Sequence, residues 1–502
     1  MAKRQGIHWR FHLWRFLVSL ALLAAVALGA ATLPGCSVNP ATGERSFTGF
    51  MSPDRERQIG AEEHPKLVKA FGGSYQDAGL TRYLNGLGGL LQSTSEQPKP
   101  PFTFTLLDSP VINAFAMPGG YVYVSRGLMA LANDEAELAG VVAHEIGHVT
   151  ARHSAQRMSR GILASLGAAV LGAAVGEPML GDAARLAAGA YIQGFSREQE
   201  FEADQLGVRY LTRAGFDPMA MASFLATMGA EHELALKIAG KEGREAAGGL
   251  FSSHPRTGAR VEKAAARARS GAQNSLARDA DIYLDQIDGM IYGDSPNQGY
   301  VRGREFAHAG FKFRFTAPPG FRLHNSEAAV FGEHSGGALM RFDGRKLDDP
   351  SQTTQRYLTR VWAKGFDFSG VETIDINGIE AATGAGTMSG RDGRRDVRLV
   401  AIRFARDQVY RFLFLTPPDQ TARLDEDLRR TTFSFRRLSA AAAAALKPLR
   451  VRVVTVRSGD TPQSLARRMA VENFPLERFR VLNGLRANEA LEPGRRVKIV
   501  SE

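Results

Sequence analysis

The segment VVAHEIGHVTARH, residues 141–153, carries three histidines and a glutamate among apolar residues at helical spacing. His144 and His148 are four positions apart, so on a helix both rings leave the same face one turn apart. That spacing lets two imidazoles bind one Zn²⁺ ion, with Glu145 within reach of a zinc-bound water. The flanking residues are largely apolar, so we predict a buried helix, where unpartnered polar side chains would be costly. The pattern therefore favours part of a metal site over a solvated helix face.

A catalytic zinc needs a third protein ligand and an open position for water. The later segment SREQEFEADQLG offers Glu200 for that role and Asp204 four positions beyond it on the same predicted helix. A carboxylate at Asp204 can accept the second ring proton of a ligand histidine, which we expect to be His144. Glu198 and Glu202 compete for the ligand role. Spacing disfavours both, because Glu202 should point to a different face and Glu198 lacks an aspartate four residues later.

Together, HEIGH and SREQEFEADQLG closely resemble the HtpX/BepA family of zinc metallopeptidases, relatives of the CAAX prenyl endopeptidase. NAFAMPGGYVYVSRGL resembles the family's strand-and-turn segment before the zinc helix, and FSSHPRTGAR resembles its late motif. The resemblance covers roughly residues 37–272, about half of the chain. It implies a gluzincin fold and endopeptidase activity. It also implies that the zinc ligands are His144, His148 and Glu200 and that Glu145 is the catalytic base. Asp204 would hydrogen-bond to a ligand histidine without binding the zinc itself.

His254 lies in the late motif. In close relatives the matching histidine approaches the zinc and blocks the water position, or acts near the substrate oxyanion. The alternative is a structural His-Pro turn before a helix that starts near Thr257. We predict an active-site role for His254 and leave both versions of that role open. Arg260 is expected to form an ion pair, and His153 to lie behind the ligands or at the surface.

The N-terminus reads as a targeting segment. A basic start is followed by the apolar run FLVSLALLAAVALGAAT and then by LPGC, which contains Cys36, the only cysteine of the sequence. LPGC resembles a bacterial lipobox, although Pro34 departs from the usual small residue. We therefore expect lipidation at Cys36 and a periplasmic protein, with a retained signal anchor as the alternative. Ser37 is not acidic, which favours the outer membrane.

The last fifty residues resemble a LysM domain. The run of GDT, LNGL and LEPGRRVKIV follows the family's order of strand, helices and strand. The resemblance implies peptidoglycan as a ligand, but Pro462 stands where the family usually has a leucine. A spacer or protein-docking domain is the alternative.

Two further regions have a distinct composition. The segment GILASLGAAVLGAAVGEPMLGDAARLAAGAYIQGF is small, apolar and broken by Gly176 and Pro178, so we expect buried helices over the cleft, with a membrane-touching hairpin or active-site lid as the alternative. Alternating segments such as VRLVAIRFARDQVYRFLFL predict an antiparallel sheet, in a pattern that loosely resembles the PsbP/Mog-like sandwich.

We therefore predict a multidomain chain. Its predicted parts are a lipoprotein signal peptide (1–36), a mainly α gluzincin-type metallopeptidase domain with a small edge sheet (37–275), a linker (276–298), an α+β antiparallel-sheet domain of unknown role (299–438), an Ala-rich linker (439–450) and a small βααβ LysM-like domain (451–502).

The formal net charge is +11, but no Lys/Arg block or nucleic-acid motif accompanies it, so no nucleic-acid partner is expected. We predict an endopeptidase with one Zn²⁺ per chain, anchored in the bacterial envelope by its lipid, that hydrolyses misfolded or unassembled envelope proteins. The alternative is an envelope chaperone or scaffold with little proteolysis, tethered to peptidoglycan through the LysM-like tail. The presence of Glu145 favours the enzyme.

Overall fold

The computed structural model describes residues 36–98, 102–162, 194–240, 254, 258–270, 276–390 and 393–502. The predicted signal peptide up to residue 35 and most of the small apolar segment, including Gly176 and Pro178, lie outside these residues. Within the described ranges, no helix combines the length and the apolar character that a membrane crossing needs.

The N-terminal unit packs helices around a small sheet. Its helices are α1 Pro53–Ala70, α2 Ala78–Ser93, α3 Arg126–Leu131, α4 Glu135–Thr150, α5 Arg197–Arg213, α6 Met219–Ile238 and α7 Gly258–Ser270. Its strands are β1 Cys36–Val38, β2 Arg45–Phe47, β3 Thr103–Leu107, β4 Ala114–Met117 and β5 Tyr121–Ser125. Strands β1 and β2 form an antiparallel hairpin, and the other three form a sheet in the order β3-β5-β4. The β4 strand runs antiparallel to β5 and packs against α4.

Side-chain caps define where these helices begin. Ser52 accepts a hydrogen bond from the backbone N–H of Arg55 at the start of α1. Asp134 caps α4 and accepts from the N–H of Glu137. Ser196 opens α5 with a complete capping box. The caps set the register in which each helix presents its polar side chains.

Helices α4 and α5 cross at two glycines. A Cβ atom on Gly147 would lie 3.1 Å from the carbonyl oxygen of Ala203, and one on Gly207 would lie 3.1 Å from the backbone nitrogen of His144. Such spacing is tighter than ordinary side-chain contact, so only glycine lets the two backbones approach this closely. The crossing brings the polar face of α5 against the histidines of α4.

The middle unit is built on antiparallel sheets, as predicted. Its strands are β7 Tyr300–Arg302, β8 Glu305–His308, β9 Phe313–Thr316, β10 Phe321–Asn325, β11 Val330–His334, β12 Leu339–Lys346, β13 Phe368–Asp375, β14 Glu380–Gly390, β15 Gly393–Ala405, β16 Gln408–Thr416 and β17 Arg436–Arg437. They form sheets in the orders β10-β11-β12-β16-β15-β14-β13 and β17-β9-β8-β7. Buried phenylalanines such as Phe315, Phe342 and Phe412 fill the core between them.

The C-terminal unit has the predicted order of strand, two helices and strand. These elements are β18 Leu449–Thr455, α12 Pro462–Ala466, α13 Pro475–Leu482 and β19 Arg496–Ser501. The helices described between α7 and this unit are α8 Ala280–Ile287, α9 Thr354–Arg356, α10 Pro418–Ser434 and α11 Ala440–Ala444. Helix α9 continues into a π-helical turn over Tyr357–Trp362.

The stretch 276–298, predicted as a linker, carries ordered elements. It contains α8 and the short strand β6 Ile291–Tyr292, which pairs antiparallel with β18. Tyr283, Leu284 and Ile287 on α8 are buried in the core of the N-terminal unit. The prediction of a linker was wrong for α8 and β6. Their apolar side chains are covered by residues that lie far away in the sequence, and a short sequence pattern does not show such contacts.

A buried lysine joins the C-terminal unit to the N-terminal one. Lys498 on β19 is 1% exposed, and its Nζ donates to the carbonyl oxygens of Ala130 at 2.9 Å, Leu131 at 3.2 Å and Ala132 at 2.5 Å. These carbonyls end α3, where helical backbone acceptors lack partners within the helix. Burial lowers the pKa of Lys498 to about 7, and its amino group caps a helix of another unit.

We predict that Lys498→Met loosens this junction. The methionine fills similar space but donates nothing, so three buried carbonyls lose their partner at a cost of about 1–3 kcal/mol. Hydrogen–deuterium exchange should show faster exchange of the β19 amides, whereas the exposed control Lys447→Met should leave them unchanged. Equal exchange in both variants would contradict the capping role.

Candidate metal centre

Four side chains from three parts of the chain converge on one point. One ligand atom each of His144, His148, Glu200 and His254 lies within 4.8 Å of all the others, and all four residues are buried. The two histidines come from α4, Glu200 comes from the first turn of α5, and His254 precedes α7. The structure thus brings together the residues predicted to bind metal.

The distances within this group fit one small ion. The Nε2 atoms of His144 and His148 are 3.0 Å apart, and they lie 3.7 and 3.6 Å from the carboxylate oxygens of Glu200. Ligands at about 2.0–2.1 Å from a tetrahedral zinc ion are separated by about 3.3 Å. An imidazole pair and one carboxylate are also the donor types that zinc prefers.

Asp204 orients the first histidine. Its Oδ1 lies 2.9 Å from Nδ1 of His144, and the guanidinium of Arg260 binds both of its oxygens at 2.8 Å. Burial acts to raise the pKa of Asp204, but the hydrogen bonds from Arg260 and His144 outweigh it and lower that pKa to about 2. An ionised Asp204 accepts the Nδ1 proton of His144 and leaves the Nε2 lone pair facing the metal position.

Arg260 also reaches the third ligand. Its second terminal nitrogen lies 2.7 Å from Oε2 of Glu200, which confirms the expected ion pair. Burial acts to raise the pKa of Glu200, but His254, His144 and Arg260 outweigh it and lower that pKa. Glu200 is therefore held as a carboxylate, the form that binds a metal ion.

Two residues lie behind His148: His153, which takes the first of its two expected positions, and Glu202, whose contact with His153 the spacing argument did not predict. His153 is fully buried, and its Nδ1 lies 2.9 Å from Nδ1 of His148. Glu202 points away from the ligand group, as predicted, but its Oε2 lies 3.1 Å from Nε2 of His153. Burial lowers the pKa of His148 well below its ordinary value, with the neighbouring histidines adding to the effect, so this ring is neutral and able to bind metal.

Glu145 lies beside the ligands and is buried. Neither of its carboxylate oxygens accepts a hydrogen bond from any residue that the structure describes, and the nearest charged partner is Nε2 of His254 at 3.5 Å. Burial raises the pKa of Glu145. A buried carboxylate with a raised pKa suits a group that takes up and returns a proton.

His254 occupies the remaining side of the group. Its Nδ1 lies 2.8 Å from Oε1 of Glu200 and 3.3 Å from Nε2 of His144. Burial acts to lower the pKa of His254, but Glu145 and Glu200 outweigh it and raise that pKa. The side chain of His254 therefore lies between Glu200 and Glu145, on one side of the group of candidate ligand atoms.

Residues 81–268 match the model of peptidase family M48, and residues 454–500 match the LysM domain model. The chain contains an M48 peptidase domain. The M48 match covers both HEIGH and the helix that carries Glu200, and it confirms the resemblance to these metallopeptidases. The LysM match confirms the second resemblance and covers the C-terminal unit.

Curated relatives share the M48 part of the chain. The beta-barrel assembly-enhancing protease of Yersinia pestis is 35% identical over 224 residues, which cover 42% of this chain and 45% of the relative. The protein of the same name from Escherichia coli K12 is 34% identical over 41% of this chain and 44% of the relative. The mitochondrial metalloendopeptidase OMA1 of Arabidopsis thaliana is 32% identical over 30% and 28%. The chain thus spans less than half the length of these relatives.

A solved structure also overlaps the chain. The cyanobacterial PsbP of Synechocystis covers 28% of this chain and 98% of its own, at 12% identity and a TM-score of 0.22. A score this low supports no argument about the fold of residues 299–438, and the sandwich resemblance stays a prediction.

Proposed function

We propose that this chain is a zinc-dependent endopeptidase of the bacterial cell envelope, with a gluzincin arrangement of His144, His148 and Glu200 around one Zn²⁺ ion. The observation that carries the proposal is the convergence of three donor atoms at tetrahedral spacing with Glu145 beside them. The curated relatives with the same domain are named proteases and metalloendopeptidases, which supports the reaction class.

Each residue of the site has a separate role in the proposed peptide hydrolysis. A bound zinc ion supplies a Lewis acid that polarises the scissile carbonyl and lowers the pKa of water. Glu145 accepts a proton from the attacking water and delivers it to the leaving amine. Asp204 and Arg260 keep His144 and Glu200 in their binding forms. The burial of these groups strengthens each electrostatic contact, because the local dielectric is low.

The substrate is proposed to bind as an extended peptide along β4. Among the described residues this strand lies at the edge of the β3-β5-β4 sheet, and its inner side packs against α4. An edge strand offers free backbone groups that can pair with a peptide, which gives binding without a fixed side-chain sequence. This suits an enzyme that cuts misfolded or unassembled envelope proteins, and the bacterial relatives are named as proteases that enhance beta-barrel assembly.

Attachment to the envelope is proposed at both ends. Lipidation of Cys36 would anchor the N-terminus of a chain that its signal peptide exports to the periplasm, and the non-acidic Ser37 favours the outer membrane. The LysM domain would hold peptidoglycan, the ligand class that its family implies.

Glu145→Gln should retain zinc and lose proteolysis. The amide cannot take up a proton, so the cleavage rate of an unfolded protein substrate should fall by about 10²–10⁴-fold. His148→Ala should instead lose zinc, because it removes a ligand, as measured by metal analysis of the purified full chain. The exposed control His324→Ala should change neither quantity. Unchanged cleavage by Glu145→Gln would refute the mechanism, and zinc-loaded wild type without chelator-sensitive cleavage would favour the chaperone alternative.

His254→Ala should raise the rate of proteolysis. His254 lies 2.8 Å from Glu200 and 3.3 Å from His144, so with zinc bound it would compete with water and substrate for the remaining coordination position. Its removal should leave that position open in all molecules and raise kcat/KM by the inverse of the fraction of wild-type molecules in which it is open. Steady-state cleavage of a peptide substrate by the zinc-loaded variant is the measurement. A fall in kcat at unchanged zinc content would assign His254 to the substrate oxyanion instead.

The full chain should sediment with insoluble peptidoglycan, and soluble N-acetylglucosamine oligomers should release it. Competition is preferable to truncation, since removing the C-terminal unit would also remove Lys498 from its three carbonyl partners. Sedimentation that the oligomers do not reverse, or no sedimentation at all, would favour a docking or spacer role for this domain.

A further inference from the structure

A line of hydrogen-bonding groups runs from the N-terminal hairpin to the metal position. Asn39, in the turn between β1 and β2, donates from Nδ2 to Oε1 of Glu202 at 2.5 Å. The other oxygen of Glu202 lies 3.1 Å from Nε2 of His153, and Nδ1 of His153 lies 2.9 Å from Nδ1 of His148. Asn39 is 2% exposed and His153 is 0% exposed, whereas the Glu202 side chain between them is 24% exposed, so the contact between His153 and His148 is the one fully shielded from water.

Only one arrangement of protons satisfies the hydrogen bonds between Glu202, His153 and His148 and also leaves His148 with a nitrogen lone pair that can bind a metal ion. The carboxylate of Glu202 can only accept, so Nε2 of His153 carries a proton. In a neutral ring the Nδ1 of His153 is then an acceptor, and it takes the Nδ1 proton of His148. The Nε2 of His148 is left with a free lone pair, and this is the atom that lies 3.0 Å from Nε2 of His144.

The opposite arrangement is unfavourable at both ends. If His153 carried its proton on Nδ1, its Nε2 lone pair would face the Glu202 carboxylate. His148 would then carry its own proton on Nε2, directed at the metal position, where it could not bind. The negative charge of Glu202 selects between the two tautomers of a ring pair that would otherwise be nearly equivalent.

We propose that His153 is a positioning residue for metal binding. Held by Glu202 and Asn39, it fixes the Nδ1–H tautomer and the orientation of His148. Asp204 fixes the tautomer of His144 by direct contact. For His148, the carboxylate of Glu202 acts through the imidazole of His153. The inference rests on the proposed function, because it assumes that His148 binds a metal ion.

The line also links two distant regions of the chain. Asn39 lies three residues after Cys36 and is 163 positions away from Glu202 in sequence. A second contact holds the same hairpin, since Arg209 on α5 donates to the carbonyl oxygen of Ala41 at 3.3 Å. The hairpin is thus packed on the metal centre and shapes its environment.

The test measures the zinc dissociation constant of the full chain by competition with a chelator. His153→Leu removes the acceptor for His148 and should weaken zinc binding by about 10–100-fold, the usual effect of losing the group behind a metal ligand. His153→Asn places an amide oxygen near the position of Nδ1, so it should retain binding within a few-fold of wild type. The visible spectrum of the Co²⁺-loaded protein should change in His153→Leu and remain close to wild type in His153→Asn.

A second pair of variants keeps the test independent of how His153→Leu folds. Glu202→Leu should weaken zinc binding in the same direction, because His153 loses the group that selects its tautomer. Glu198→Leu, which alters an exposed carboxylate in the first turn of the same helix, should leave it unchanged. Thermal melting of each apo-protein checks that the fold is intact.

The outcomes separate the two proposals. Equal loss of affinity in His153→Leu and His153→Asn would reduce His153 to a packing residue and overturn the inference. Wild-type affinity in folded His153→Leu or Glu202→Leu would overturn it as well, while leaving the proposed function in place. Absence of zinc binding by the wild-type chain would overturn both.

Discussion

The crossing of α4 and α5 governs everything else at this site. A metal ligand bond is about 2 Å long, so ligands on separate helices must be placed to within a fraction of that length. Gly147 and Gly207 let the two backbones meet at a distance that a side chain at either position would prevent. The proposed ligands His144 and Glu200, which are 56 positions apart in sequence, therefore converge without help from long, flexible side chains.

Burial of so many polar groups would be costly if they were left unpaired. The site resolves this by giving each ligand a partner behind it: Asp204 for His144, His153 for His148 and Arg260 for Glu200. Each partner also sets a protonation state, so the same contacts that offset desolvation prepare the donor atoms for a cation. Glu145 is the exception, because no described residue hydrogen-bonds its carboxylate, and a proton carrier needs that freedom.

The units around the M48 domain are joined to it by buried contacts. Lys498 caps the end of α3 from across a unit boundary. The helix α8 packs in the core of the N-terminal unit, and the strand β6 that follows it pairs with β18 of the LysM domain. The carbonyls that Lys498 caps lie directly before α4, the helix with both histidines. The C-terminal domain therefore contacts the segment that directly precedes α4, the helix that carries His144 and His148.

The sequence by itself determined what depends on local spacing. The i,i+4 histidines, the helix caps at Ser52 and Asp134, and the pairing of Glu200 with Asp204 could all be predicted, since helical geometry relates residues one turn apart. Spacing could not show that Glu202, which faces away from Glu200, meets His153, or that residues 276–298 fold into two units. Such contacts join residues that are tens to hundreds of positions apart, and their geometry exists only after α4, α5 and the N-terminal hairpin have packed together. Tertiary structure alone therefore decided the contact of Glu202 with His153, which of its two expected positions His153 takes, the location of His254 between Glu200 and Glu145, and the burial of Lys498.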